Sequence, residues 1–467
     1  MMAAIAAKAQ FPAGSVLIIE RNEELGRKLL ATGNGRCNFT NLQATAEDYG
    51  EAAPFVASVF QQMPPARLCQ LFASFGIVSR EEAEGRVYPY SGQGSAVCSQ
   101  LKRQLQQRQV NVRCGVSAVQ VEAEESAFLL QLSDGGIVRS SNLILASGGK
   151  AGGQYGCQGD GYRFLRSLQH VVNKPHPALI ALQCRVPAQS GAEPWPSEWK
   201  GVRAQAGVSL WRFPADAGEF DKGISFGQAQ LVAEDKGEVQ LTATGLSGIC
   251  IFNLSRYVIY SVPLAEGRRE QYLVALDFLP QHSQEQADAL LLAQAEALRE
   301  EPAEVLLLSI VHQRLIAGIL RQVNIAPDER LEGVGEKRLL LLSRLLKRWC
   351  ALVEGTKGWN DAQVTAGGAD CVQFNPQTMQ SRLIPGLYLC GELFDVDGRC
   401  GGYNLQWAFA SGYAAGCSAG QQAAEASGNT KKNSTNEENA EANNKKEEDR
   451  RKSGRKEEMT RCSASKK

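Results

Sequence analysis

Val16-Leu17-Ile18-Ile19-Glu20, followed by Gly26-Arg27-Lys28-Leu29-Leu30-Ala31-Thr32-Gly33-Asn34-Gly35-Arg36-Cys37-Asn38, is the stretch on which the fold turns. Four apolar residues ending in a carboxylate read as a buried strand with an acidic tip. In a Rossmann-like unit a carboxylate at the end of the second strand is placed to bind both ribose hydroxyls of an adenosine. Glu20 has that position, about twenty residues past where a glycine loop belongs. The run that follows crowds Gly33, Gly35, Arg36, Cys37 and Asn38 together. Glycines let backbone approach a flat ring or a pyrophosphate, while Arg and Asn supply donors for phosphate or carbonyl oxygens.

Two further stretches fit the same picture. Leu145-Ala146-Ser147-Gly148-Gly149 is an apolar strand running into a glycine turn, as where a late strand of a dinucleotide domain passes its cofactor. Pro385-Gly386-Leu387-Tyr388-Leu389-Cys390-Gly391-Glu392 is a turn, a buried strand and an acidic end. Asp395, Asp397 and then Gly401-Gly402-Tyr403-Asn404-Leu405-Gln406-Trp407 follow, glycines opening a helix. The amides and positive dipole end of such a helix suit a ring that becomes anionic on reduction.

Outward from these motifs, 467 residues at 43% hydrophobic content suffice for two or three modules. The order of elements predicts an α/β Rossmann-like domain interrupted by insertions. Residues 1–177 are read as its first part, and 178–282 as a β-rich insertion with short runs such as Val202 to Phe213 and Val239 to Thr244. Residues 283–355 are read as helical, broken at Pro302 and Pro327, and 356–422 as the return to the first domain. Val110 to Val121 reads as strand. From 423 to 467 the chain turns to Asn, Lys, Glu and Ser, a composition expected to be disordered.

Lys+Arg and Asp+Glu balance at 50 each, so composition offers nucleic acid no electrostatic invitation. No apolar run is long enough to span a bilayer, and no basic segment precedes the short Ala-rich opening as a secretory signal requires. Thirteen cysteines without a CxxC pair, and four histidines without ligand spacing, argue for reduced thiols in a cytoplasmic protein and against a metal site.

Taken together, the blocks Gly26 to Asn38, Gly245-Leu246-Ser247-Gly248 and Gly391 to Trp407 resemble the BaiN/aminoacetone-oxidase-like family of NAD(P)/FAD-dependent oxidoreductases, from about Ala3 to Gly420. The resemblance implies an FAD-binding domain of two-dinucleotide-fold type split by a β-rich and a helical domain. Its implied cofactor-binding set comprises Glu20, Arg21, Lys28, Gly33, Arg36, Cys37, Asn38, Val119, Gly148, Gly391, Glu392, Asp397, Gly401, Gly402, Tyr403, Asn404 and Leu405. Family members begin with a strand and a Gly-x-Gly-x-x-Gly loop. Here Met1 to Lys8 reads as the helix after that loop, so the sequence is expected to start inside the natural domain. Arg399-Cys400 stands where the family more often has a small pair.

The activity so implied is transfer of a hydride or electron pair between NAD(P)H or a small organic substrate and an acceptor such as an activated double bond or oxygen. The cofactor carries that chemistry and the protein orients it. No catalytic acid–base pair is visible, and Cys37, without a CxxC partner, reads as a packed thiol. The alternative is a non-catalytic flavin-fold binding protein. Substrate, choice of nicotinamide and oligomeric state leave no mark in the sequence.

Overall fold

The structure, a computed structural model, describes residues 1–188, 191–214, 226–258 and 271–428. Two hydrophobic cores divide these residues. One gathers side chains from Met2 to Leu168 and again from Ala369 to Ala419; the other runs from Leu182 to Val353. The chain leaves the first module, builds the second and returns. Its two crossings lie side by side, His176–Ala178 pairing antiparallel with Val364–Ala366.

In the first module Leu17–Ile19 pairs in parallel with Asn111–Arg113, and Leu143–Leu145 in parallel with Leu387–Leu389. Parallel neighbours need long crossovers, and the second pair is joined only after the whole second module has been made. Ala118–Ala123, Phe128–Leu132 and Ile137–Ser140 form an antiparallel meander. Phe128, Leu130 and Leu132 alternate into the core. The expected strand from Val110 to Val121 is therefore two strands. Gly115, at φ 71°, turns the chain between them so that the second half can leave the parallel pair.

The opening residues fold as the helix Met2–Gln10, carried on six small or apolar buried positions from Met2 to Ala7. It packs on a helix spanning residues 403–428. Gly412, Gly416 and Gly420 recur every fourth residue, the spacing of one helix face. A Cβ on Gly416 would stand 2.1 Å from the carbonyl oxygen of Ala3, so here backbone lies on backbone. The helix continues through residue 428, so 423–428, assigned to a disordered tail by composition, extend it instead. The remainder of that tail lies outside the described residues.

The second module is a closed barrel. Leu182–Ala188, Gly245–Ser247, Gln230–Leu241, Arg203–Phe213, Gln271–Asp277 and Trp349–Thr356 pair antiparallel in that order, and the last returns to the first. Closure removes the exposed edges a sheet of this size would otherwise present. The helices Gln284–Ala297, Ala303–Leu307, Gln313–Gln322 and Glu336–Lys347 interrupt the barrel between its last two strands and share its core. Ser283 starts the first of them with a capping box to Gln286, a device worth about 1 kcal/mol. The segment expected to be helical to residue 355 thus ends in a strand. The period changes there: Trp349, Ala351 and Val353 are buried in alternation and complete the barrel wall.

Valine at Gly416 should overpack the helix contact and lower stability by about 1–3 kcal/mol or more, read as a fall in urea midpoint. Alanine at Gly358, where a Cβ meets nothing within 4 Å, should leave it unchanged. His170 supplies a second test. It is buried, bonds Ser381 at 2.8 Å and stacks on Phe374, joining the two segments of the first module. Burial lowers its pKa below the ordinary 6.5, the nearby Leu168 and Leu165 carbonyls opposing in part. The unfolded chain therefore takes up the proton first. The His170 contribution is complete above about pH 6.5 and is lost as pH falls through the folded value, at no more than about 1.4 kcal/mol per pH unit. His170→Gln should flatten the stability profile between pH 7 and pH 5. An unchanged slope would show that His170 does not titrate across folding.

Candidate functional site

Glu392 closes the strand Leu387–Leu389 and points back into the first module. One carboxylate oxygen contacts the Lys28 ammonium, and the other accepts from the Thr365 amide at 2.7 Å. Lys28 stands on the short helix Arg27–Ala31 and also donates to the carbonyl of Ala151 at 3.1 Å. Burial by itself would lower the Lys28 pKa, but Glu392 and Cys157 together outweigh it and hold the ammonium above its ordinary value. The Thr365 hydroxyl accepts from the amides of Lys150 at 2.8 Å and Ala151 at 3.0 Å, just past the Gly148-Gly149 turn. Tyr162 donates to the Glu392 carbonyl at 3.1 Å. One ion pair thus joins all three sequence motifs.

Beside it lies a second cluster. Asn38 is 7% exposed, and its Oδ1 is buried without a hydrogen-bond partner. An orphaned acceptor of that kind costs about 1–3 kcal/mol unless something else satisfies it. Gly402, at φ 104°, passes so close that a Cβ would sit 2.3 Å from the Thr40 carbonyl and 2.9 Å from Asn38 Oδ1. The helix that starts there is pinned from below. Thr40 donates to Gln406 at 2.6 Å, Gln406 donates to the Met63 carbonyl at 2.8 Å, and Tyr49 donates to the Tyr403 carbonyl at 2.7 Å. Trp407 donates to the carbonyl of Gly391 at 3.0 Å, linking this helix to the Glu392 turn. At Gly391, where φ is 71°, a Cβ would meet Ala408 of the same helix at 3.8 Å, ordinary packing distance.

The loop before the helix is held from both modules. Asn404 accepts from the Gly398 amide at 2.8 Å and donates to the Gly398 carbonyl at 2.9 Å. Asp397 is paired with Arg256 of the barrel module. Burial pushes the Asp397 carboxyl up, with Arg256 opposing.

Lys28, Gly33, Cys37, Asn38, Gly148, Gly391, Glu392, Gly401, Gly402, Tyr403, Asn404 and Leu405 therefore line or support one region. Cys37 is fully buried at φ 58°, and burial pushes its thiol up to about 12, the state of an inert packed thiol. Others lie apart. Glu20 accepts from the amide and side chain of its own neighbour Asn22, both at 2.9 Å, and Arg21 pairs with Asp160 at 2.6 Å. Arg36 is held by Glu82 and lies over the Tyr88 ring at 4.0 Å. Val119 is 42% exposed, its carbonyl accepting from Arg163. Sequence reading missed Thr365, Tyr162, Asn253 and Arg256, although Tyr162 follows Gly159-Asp160-Gly161 and Thr365 precedes Gly367-Gly368, glycine signals that could have found them. For Arg256 the nearby Gly245 to Gly248 block was the available signal. The hollows lined by Arg203, Phe278, Pro280 and His312, and by Arg299, Glu332 and Glu336, belong to the second module and touch none of these residues. Among the described residues no cluster of side chains is arranged to hold a metal ion, and no helix is long and apolar enough to cross a membrane.

Residues 1–418 match the family described as HI0933-like protein Rossmann domain. The 3-dehydro-bile acid delta(4,6)-reductase of Clostridium scindens is 34% identical over 423 residues, which are 90% of this chain and 97% of that protein. Ribosomal RNA dihydrouridine synthases are more distant. That of Haemophilus influenzae is 27% identical over 87% of this chain and 93% of its own length; that of Escherichia coli is 27% identical over 85% and 90%.

Glu392→Gln keeps an acceptor for Thr365 but strands the Lys28 charge. It should cost about 1.5–3 kcal/mol in urea unfolding, part of which Lys28→Met in the same chain should restore. A single variant within about 0.5 kcal/mol of the parent would mean the pair is no stronger than an exposed one.

Proposed function

The chain belongs to the HI0933-like Rossmann family of flavin-dependent oxidoreductases, and we propose that it reduces a carbon–carbon double bond conjugated to a carbonyl, using FAD with NAD(P)H as donor. The observation that carries this reading is the convergence of three glycine motifs on the Lys28–Glu392 pair beside the unsatisfied Asn38 carboxamide. The residues suit a flavin on their own chemistry. A buried acceptor without a donor matches a ring N–H. Glu392 and Lys28 offer an acceptor and a cation to hydroxyl groups and a phosphate.

When bound, FAD would supply the two-electron chemistry that no side chain here can perform. The protein's share is placement. The first amides of the 403–428 helix present donors and a positive dipole end where negative charge would develop. The helix Met2–Gln10 offers a second such end. In this reading Glu20 would serve the ribose hydroxyls of the adenosine half.

The substrate class is drawn from what the relatives' names have in common. A delta(4,6)-reductase of a 3-dehydro bile acid and a dihydrouridine synthase both saturate a double bond next to a carbonyl. The closer identity to the former, together with a formal net charge of zero, favours a small apolar enone over RNA.

Purified chain equilibrated with FAD and desalted should stay yellow, bleach anaerobically with NADH or NADPH, and recover its colour on addition of a steroid dienone. Recovery with uridine-containing RNA and not with the dienone would move the substrate class. A colourless protein after FAD would falsify the cofactor assignment.

A further inference from the structure

We propose that Arg256 and Asn253 of the barrel module are positioning residues that hold the 397–402 loop in the shape the cofactor site needs. The docked barrel is then a condition of that site, not a passive neighbour. The inference rests on the flavin reading given above.

Both residues come from one short helix. Gly248, at φ 112°, ends the barrel strand Gly245–Ser247, and a Cβ there would stand 2.4 Å from the Glu238 carbonyl. That sharp exit directs the helix Ile249–Ser255 out of the barrel wall and toward the first module. Arg256 caps it, only 8% exposed. Its Nε donates to the Asp397 carboxylate at 2.5 Å, its Nη2 to the Asp397 carbonyl at 2.5 Å, and its Nη1 to the Asp48 carbonyl at 3.4 Å. One guanidinium thus grips side chain and backbone of the same loop residue, a fork that lysine cannot reproduce.

Asn253 adds a second grip three residues on. Its Oδ1 accepts from the Cys400 amide at 2.9 Å, while its Nδ2 is fixed by Asp235 of the barrel at 2.7 Å. Between these points run Gly398 and Arg399, and directly after Cys400 come Gly401 and Gly402, whose positive φ angles open the 403–428 helix. Asn404 holds the inner side of the loop from that helix. On the outer side the first module adds Asn41, which donates to the Gly401 carbonyl at 2.9 Å, and Asp48, paired with Arg399 at 3.5 Å; the grips on Asp397 and Cys400 come from the barrel module. Phe252 of the same short helix and Cys400 pack on the small apolar cluster of Ala178, Leu179, Val364 and Ala366, which is the paired crossing between modules. The crossing is only three residue pairs long. It ends in Leu179 at φ 51° on one strand and in Gly367 at φ 78° on the other, so at both ends the backbone turns sharply. A short strap of this kind tethers the barrel; Arg256 and Asn253 dock it.

The test uses the full chain with and without FAD and three substitutions: Arg256→Gln, Arg256→Lys and Asn253→Ala. Without FAD, amide hydrogen exchange in a peptide covering 396–402 should quicken at least ten-fold in Arg256→Gln. Arg256→Lys and Asn253→Ala should fall between it and the parent, and a peptide covering 27–41 should be unchanged. Equal exchange in the 396–402 peptide would overturn the proposal whether or not flavin binds. With FAD, loosening the helix entrance should weaken FAD retention several-fold and move the flavin reduction potential to more negative values, again with Arg256→Lys intermediate. Faster exchange with an unmoved potential and unmoved FAD affinity would reduce Arg256 to a structural tie and overturn the positioning role. A parent chain that takes up no FAD refutes the cofactor reading, while the exchange comparison still decides whether the barrel holds the loop. Asn253→Ala leaves the buried ion pair intact, so it answers the question even if Arg256→Gln does not fold.

Discussion

The half-buried pair of Lys28 and Glu392 is the contact on which the first module depends, because it joins chain segments separated by the entire barrel. Neither charge is cheap to desolvate alone, and each is made tolerable by the other and by the Thr365 amide. Thr365 in turn fixes the turn after Gly148-Gly149 through two backbone amides. A module interrupted for some two hundred residues needs such a tie. The parallel pairing of Leu143–Leu145 with Leu387–Leu389 cannot form until the returning chain arrives.

Close backbone approach is the second constraint. Where the helix Met2–Gln10 crosses the 403–428 helix, and where Gly402 crosses Thr40, there is no room for even one methyl group. These contacts set the entrance of the 403–428 helix, and with it the direction in which its free amides face. Buried aromatic side chains fill what remains: Phe394 packs against Phe55, Phe374 and Trp407, so the turn after Glu392 is braced from three sides. Within this frame two buried polar atoms, Asn38 Oδ1 and His170 Nδ1, have no hydrogen-bond partner.

The second module follows a different logic. Its strands close on one another and its helices complete the same core, with Trp195, Trp199 and Trp349 meeting edge to face where helices and barrel join. It therefore packs around contacts of its own and meets the 397–402 loop of the first module through one short helix. The cysteines show the difference between local chemistry and environment. Cys37 lies in the most suggestive motif of the chain, yet burial pushes its thiol up to about 12 and away from redox work.

How much of this was written in the sequence can be judged residue by residue. The α/β class, the apolar strands ending at Glu20, Leu145 and Leu389, and the glycine turns at Gly148, Gly391 and Gly402 follow from local pattern, since period and turn chemistry act over a few residues. Boundaries were lost where a single residue changes the path. Gly115 splits a strand, and Trp349 begins one that the Leu-rich helices before it conceal. Residues that act across the fold were not legible. Asn253 and Arg256 stand in no glycine run, and the runs beside Tyr162 and Thr365 do not name their partners, which are set by which segments the two modules bring together. Arg36, read from the sequence as a donor for phosphate or carbonyl oxygens, lies against Glu82 and Tyr88, contacts that the sequence does not announce. By itself, then, the sequence determined the kind of domain and the chemistry its glycine motifs can support. Only the tertiary structure decided which charges meet, which acceptor is left unsatisfied and which barrel residues grip the loop, since those are long-range contacts that local pattern does not encode.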